Sequence, residues 1–329
     1  MTHDNHPILG PAERLCQRVL GLRHPADLGP LIQVALYYSA FTALLWPGLV
    51  QSMWLRAGLY VLLVLLNFAL TIGVMHLHVH RHIFKNKWQD RILEILLCFP
   101  SFLTSAEMYV FHLLNHHVTG NDQRDKSTTI HAEKGWAALR YWVTYWYIVK
   151  QHTLHVLRFA CSGQVLRRYR LCMLFDLTVS VGAVWLLSDC FGVSMIYYWF
   201  IPFLITILSA GYFAWLTHGP AATPESPYKC VDTVNNYLNI FVFNFGYHTI
   251  HHKYPGIHWS DIPSKLGEMQ ECDPRYIVSY WVTLNSAWRI ARPSAFAEPA
   301  FGAGWQTRLK QRQAAGRVRW RLLAYYAWI

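Results

Sequence analysis

The sequence predicts an all-α integral membrane protein with four transmembrane helices in two hairpins and a cytosolic helical cap. Three observations predict this fold class: long apolar runs, few charged residues, and histidines clustered where the apolar runs end. Of the 329 residues, 53% are hydrophobic and only 14% are charged, whereas about 25% charged is usual for a soluble domain. The chain is therefore too apolar for an ordinary soluble protein of its length.

Four apolar runs have about the 20-residue length that the hydrocarbon core of a bilayer requires. They cover residues 32–50, 57–75, 171–188 and 195–216. The connectors "QSMWLR" and "SDCFGVS" are too short to form domains. The four runs therefore pair into two helical hairpins.

The distribution of basic residues predicts the orientation of these helices. Cytosolic loops of membrane proteins carry an excess of Lys and Arg. The segment Leu186–Gly192 contains neither, and Arg56 is the only basic residue between the first two runs. Most other basic residues lie near the two termini and in the central stretch 81–170. We therefore expect both termini and this stretch to be cytoplasmic, at the plasma (inner) membrane of a bacterium.

The predicted organisation has three parts. Residues 1–31 form a cytosolic arm, residues 32–265 a membrane domain, and residues 266–329 a cytosolic region rich in basic and aromatic side chains. In so apolar a chain, the formal net charge of +11 favours anionic lipid headgroups or an acidic redox partner over nucleic acid. Seven scattered cysteines without a CxxC pair argue against a disulfide scaffold.

A fifth apolar stretch, residues 92–111, contains Glu94, Pro100 and Glu107. A charge at bilayer depth costs about 2.5–3.5 kcal/mol, so we interpret this stretch as interfacial or re-entrant. Residues 136–159 mix aromatic and basic side chains at helical spacing, which is typical of a helix lying in the membrane interface. The C-terminal tail has a similar composition.

Histidines gather at four places, each in a predicted cytosolic segment or at a cytosolic helix end. They are "MHLHVHRH" from residue 75 (the first box), "FHLLNHH" from residue 111 (the second box), His218, and "HTIHH" from residue 248 (the third box). Imidazole is a common ligand of transition metals. Eight or nine imidazoles exceed the four ligands of a single zinc ion, so the pattern predicts a histidine-ligated di-metal site.

The first box leaves two alternatives open. If the second apolar run continues as a helix, His76 and His80 share one face, while His78 and His82 share another. Only one pair can then reach a common metal ion.

A metal transporter is a non-enzymatic alternative for a histidine-rich membrane protein. Transporters place ionisable groups near the bilayer midplane, whereas the predicted midplanes here contain almost no charge. Soluble di-iron bundles use repeated Glu-x-x-His, and this chain contains no such motif. An enzyme with its metal site at the membrane boundary is therefore favoured.

The order HxxxH, HxxxHH, single His and HxxHH around two pairs of apolar runs resembles the integral-membrane fatty acid desaturase and hydroxylase superfamily. The resemblance covers about residues 35–265 and implies a non-haem di-iron centre on the cytosolic side. In the first box it favours His76 and His80, because an apolar aromatic residue, Phe84, follows four positions later, as in related sequences. His78 and His82 remain the alternative. The implied ligands are His76, His80, His112, His116, His117, His218, His248, His251 and His252.

Four further polar residues follow the second and third boxes: Asp122, Asp125, His258 and Asp261. Groups of this kind can orient ligating imidazoles through hydrogen bonds. Loop capping is the alternative role for the three aspartates. A Pro-Gly turn separates His258 from the third box, so we expect it to support the site rather than to bind metal.

The resemblance also implies a reaction, which we state as oxygen-dependent desaturation of a fatty acyl chain carried by a lipid, a carrier conjugate, CoA or a free acid. Fatty acyl hydroxylation and oxidative decarboxylation to a terminal alkene are alternatives, and carotenoid ketolation or hydroxylation is a less favoured one. Two iron ions and dioxygen are the implied cofactor and co-substrate. The chain has no HPGG-type haem motif, so we expect an external electron donor: a ferredoxin, a rubredoxin or a cytochrome b5.

Overall fold

The computed structural model describes residues 11–120, 122, 124–127, 167–218, 230–233, 236–271 and 277–278, with scattered residues between 146 and 161. Within these ranges the chain is almost entirely helical. The α-helices are α1 (Pro11–Leu20), α2 (Leu28–Leu45), α3 (Met53–Phe68), α4 (Met75–His80), α5 (Lys87–Cys98), α6 (Ser105–Met108), α7 (His117–Thr119), α8 (Arg167–Phe191), α9 (Ile201–His218), α10 (Asn236–Phe241) and α11 (His248–Lys253).

Three π-helical segments connect some of these α-helices without a break. They are Ala69–Val74 before α4, Tyr109–His116 before α7, and Ile196–Phe200 before α9. Two 3₁₀ helices and one pair of short parallel strands complete the described elements. These are Pro25–Asp27, Trp259–Glu271, and the strands Asp232–Thr233 and Ile277–Val278.

In the part of the chain that the structure describes, three helices are long and apolar enough to cross a membrane, and a fourth apolar helical stretch is shorter. The three are Pro25–Leu45, Met53–His80 and Arg167–Phe191, and the fourth is Ile196–Gly211. Large apolar side chains on these helices face outward; Trp54 and Trp185, for example, are 81% and 72% exposed. Such a surface suits contact with lipid, and the chain is a membrane protein. The four predicted runs lie on helices except at residues 46–50, where the first run extends past the end of α2 at Leu45.

The boundaries of the predicted runs differ from the observed helices in an informative way. The second run was expected at 57–75, but its helix begins at Met53, because the Ser52 side chain accepts a hydrogen bond from the Leu55 N–H and caps it. At the other end the helix continues to His80. Its last turns therefore carry three histidines of the first box, His76, His78 and His80.

The stretch 92–111 does not form one helix. Helix α5 ends at Cys98 and α6 begins at Ser105, with Pro100 in the intervening turn. A capping box starts α6: the Thr104 hydroxyl accepts from the Glu107 N–H, and the Glu107 carboxylate accepts from the Thr104 N–H, both at 3.1 Å. Of the three residues that argued against a fifth span, Pro100 thus lies in the break and Glu107 caps the helix that follows, whereas Glu94 lies within α5.

Hydrogen bonds as well as apolar packing join the apolar helices to the other described segments. Gln33 on α2 donates to the Phe241 carbonyl at 3.0 Å, and Trp199 donates to the Phe99 carbonyl at 3.1 Å. The N-terminal arm pairs with the segment after the first box, since the Arg23 N–H donates to the Ile83 carbonyl at 2.8 Å. These links connect the apolar helices with the segments that lie between and before them.

Several predicted features fall largely outside the described residues. They are the interfacial helix at 136–159, the C-terminal tail, and most of the region 266–329. The predicted arm, 1–31, overlaps the start of α2 at Leu28.

Candidate metal centre

The first box lies on the last turns of the second apolar helix and uses both of its faces. His76 and His80 are one turn apart on the inner face, with ring centroids 4.8 Å apart. The Nε2 atom of His80 is buried without a hydrogen-bond partner, so it is available to bind a metal ion. His78 instead lies near Glu94, with 3.5 Å between Nε2 and Oε1.

The second box is shaped by a π-helical segment. A π-helix bonds residue i to residue i+5, so residues five apart stack on one side. His112 and His117 accordingly meet, with their Nε2 atoms 2.9 Å apart. His116 lies on another side and faces His218 and His252, at ring-centroid distances of 4.6 and 4.8 Å.

The third box is a short helix, α11, whose histidines also divide. His248 and His252 are one turn apart, with 3.2 Å between their Nε2 atoms. His251 projects differently: its Nε2 lies 2.8 Å from that of His76 and 3.0 Å from that of His117. His218, the last residue of α9, lies 2.8 Å from His248 between Nε2 atoms.

Nine imidazoles thus form two adjoining groups. Within each group the potential donor atoms lie within 4.8 Å of one another, and among the described residues neither group includes a carboxylate. The rings of His117 and His252 are 4.4 Å apart across the boundary between the groups. The five-imidazole group is His76, His80, His112, His117 and His251, and the four-imidazole group is His116, His218, His248 and His252.

The spacing of the ring nitrogens suits metal coordination. Two ligands at right angles on a metal, each about 2.1 Å from it, lie about 3.0 Å apart. The closest Nε2 pairs in the two groups are 2.8–3.2 Å apart. The whole predicted ligand set, with His76 and His80 as the first-box pair, is therefore brought together.

The electrostatics of the centre favour neutral imidazoles. Burial, followed by the neighbouring histidines, lowers the pKa values of five of them: His112, His117, His248, His251 and His252. For His117 the pKa falls to about 2. A neutral imidazole has a free lone pair, which is the form that binds a metal ion.

Asp125 is the predicted supporting residue that contacts the centre. Its Oδ2 lies 2.6 Å from Nδ1 of His116, and Ser127 donates to its Oδ1 from both the backbone and the hydroxyl. Burial alone would raise the pKa of Asp125, but the hydrogen bonds with His116 and Ser127 lower it overall. The carboxylate therefore stays charged and holds Nδ1 of His116, which leaves Nε2 directed to the four-imidazole group.

The other three predicted supporting residues have different contacts. Asp122 pairs with Arg124 in its own loop at 2.6 Å. His258 binds Asp27 through Nε2 at 2.8 Å and Ser260 through Nδ1 at 2.7 Å. Asp261 lies close to His258 and the N-terminal arm. His258 therefore links the third-box loop to the arm.

Sequence reasoning missed Asp232, a buried carboxylate that holds the third box. It accepts hydrogen bonds from the backbone N–H and the hydroxyl of Thr249, the second residue of α11. Burial raises its pKa to about 6. Asp232 precedes Thr249 by 17 residues, so no helical spacing links the two in the sequence.

A comparison with known protein families gives one match. The family model for fatty acid desaturases matches residues 52–284, which is 233 of the 329 residues and includes all nine imidazoles. The match confirms the resemblance inferred from the order of the histidine boxes. No curated protein matches the chain.

Proposed function

The chain belongs to the fatty acid desaturase family, and on that premise we propose that it is an oxygen-dependent di-iron desaturase that introduces a double bond into a fatty acyl chain. The observation that carries this proposal is the pair of adjoining imidazole groups at the ends of apolar helices. Family membership makes the chain an oxidoreductase, and the histidine groups supply the ligands for its metal. The choice of iron and of desaturation is our inference.

The donor set fits two iron ions. Imidazole suits iron as well as zinc, copper and nickel, and the division into groups of five and four exceeds the needs of one tetrahedral zinc ion. When bound, a di-iron centre would supply the power to activate dioxygen and remove hydrogen from an unactivated C–H bond. His251 would bind metal in the five-imidazole group, and His116 in the four-imidazole group. Asp125 keeps His116 in the tautomer that binds through Nε2.

The proposed reaction defines what else must reach the centre. Removing one hydrogen from each of two adjacent carbons forms the C=C bond and yields two electrons and two protons. Reducing dioxygen to two waters needs four of each, so two more electrons and two more protons must be supplied. The sequence lacks an HPGG-type haem motif, so we propose an external ferredoxin, rubredoxin or cytochrome b5 as the donor.

The reaction is tested by expressing the protein in a host that supplies a matching reductant. Mass spectrometry of total lipids is expected to detect new unsaturated acyl chains, with the His251→Ala variant as the matched inactive control. If hydroxylated acyl chains appear instead, the reaction is hydroxylation and not desaturation. If the headspace gas contains a volatile alkene one carbon shorter than the acid, the reaction is oxidative decarboxylation.

We further propose four membrane spans, with the metal centre and both termini on the cytoplasmic side of a bacterial plasma membrane. The asymmetry of basic residues supports this orientation. Cys190, which is exposed at the end of α8, provides a natural probe. In a variant that keeps only this cysteine, a membrane-impermeant maleimide is expected to label Cys190 in intact cells.

The matched control places the single cysteine at Lys85, which is exposed beside the first box, after Cys190 is changed to serine. This probe is expected to react only after the cells are lysed. Labelling of the Lys85→Cys probe in intact cells, without labelling of Cys190, would reverse the proposed orientation.

A further inference from the structure

The first box contains a second histidine pair that the nine-imidazole centre does not use. We propose that His78, His82 and Glu94 form a separate, mononuclear site for a divalent cation of the zinc class. This inference goes beyond the proposed function, because it concerns a metal ion outside both imidazole groups.

The three side chains converge from two elements. His78 lies on the face of α4 opposite His76 and His80, His82 follows the end of that helix, and Glu94 comes from α5. Their potential donor atoms all lie within 4.8 Å of one another. His78 is fully buried, whereas the side chain of His82 is 55% exposed. The site is thus open to solvent on one side, where a cation can enter.

The distances between the donor atoms fit a tetrahedral ion. Nε2 of His78 lies 3.4 Å from Nδ1 of His82 and 3.5 Å from Oε1 of Glu94. The distance from His78 to Glu94 exceeds the usual 2.7–3.2 Å of an N–H···O hydrogen bond. Two ligands of a tetrahedral zinc ion, each about 2.0–2.2 Å from the metal, lie about 3.3–3.6 Å apart. Two imidazoles and one carboxylate with an open fourth position are a common zinc ligand set.

The charge around the site also suits a divalent cation. Glu94 shares Arg91 with Asp176 of α8, and Asp90 lies 3.7 Å from His82, measured from Oδ2 to Nδ1. These three carboxylates outnumber the two nearby guanidinium groups, Arg91 and Arg23, by one. The surplus negative charge beside two imidazoles favours a cation.

The position of the site gives the cation a structural role. Helix α4 carries His76 and His80 on one face and His78 on the other, so a cation held with Glu94 would fasten the end of this helix to α5. Through Arg91 and Asp176 the same network reaches α8. The alternating histidines of "MHLHVHRH" would then serve two metal sites from one helix end.

Metal content tests the proposal. Iron-loaded protein is incubated with Zn²⁺, freed of excess zinc, and analysed by elemental mass spectrometry. We expect about one zinc ion per chain in the unaltered protein and close to none in the His82→Ala and Glu94→Gln variants, with the iron content unchanged. Because His82 is exposed, its truncation leaves no cavity. Arg81→Ala, an exposed neighbour, is the matched control and should keep its zinc.

A second measurement uses Co²⁺ in place of Zn²⁺. A tetrahedral Co²⁺ site is expected to give visible absorption bands that disappear in His82→Ala and persist in Arg81→Ala. Zinc content that is equal in all variants, or absent in the unaltered protein, would overturn the proposed site. Absence of iron with retained, His82-dependent zinc would instead overturn the di-iron proposal and leave this site intact.

Discussion

Replacing His251 by alanine is expected to abolish turnover and to deplete the centre of metal. Its Nε2 lies 2.8 Å from that of His76 and 3.0 Å from that of His117, so it joins the first and second boxes within the five-imidazole group. Losing even an outer-shell partner of a metal ligand costs roughly 10–100-fold in affinity or activity. Losing a ligand at this position should therefore cost more than about 100-fold.

Iron content and product formation are the two measurements. The unaltered protein is expected to hold about two iron ions per chain, and the His251→Ala variant no more than about one. His258→Gln is the matched control, since His258 is also buried and lies near the third box but binds Asp27 and Ser260. Equal iron content in His251→Ala and the unaltered protein would contradict the assignment of His251 as a ligand.

The order of the histidine boxes predicted that imidazoles from the three boxes and His218 would meet, because each box is a local feature of the sequence. It was not sufficient to predict how they divide. In a regular α-helix His112 and His116 would share a face, but the π-helical segment Tyr109–His116 places His112 on the same side as His117 and directs His116 to the other group. Sequence periodicity contains no signal for that change of helix type.

The ambiguity of the first box has a similar cause. His76 with His80, and His78 with His82, are equally spaced, so periodicity alone gives two equivalent faces. The choice depends on which face packs against the other boxes, and that is fixed by contacts such as the one between His76 and His251, 175 residues apart. The sequence does not reveal the hydrogen bonds of Asp232 to the third box, because they too join residues that are far apart along the chain.

The carboxylate of Asp125 is expected to matter almost as much as a ligand. It contacts Nδ1 of His116 at 2.6 Å and is fully buried. Replacing it by asparagine keeps the size of the side chain but removes the charge that fixes the imidazole. We expect a loss of roughly 10–100-fold in metal affinity, measured as the iron retained against a chelator, with a parallel loss of activity.

The same substitution should change the pH dependence of stability in a defined direction. The pKa of Asp125 is lower in the folded protein than its usual value, so its contribution is present above about pH 3.9 and is lost as the pH falls towards the folded pKa. In metal-free protein in detergent, Asp125→Asn should therefore melt at a lower temperature than the unaltered protein at pH 7, and the difference should shrink in acid. Asp122→Asn is the matched control: it is the same change three residues earlier, at a residue paired with the exposed Arg124. If both variants retained iron equally and melted alike at pH 7, Asp125 would be an ordinary loop residue and not the group that orients His116.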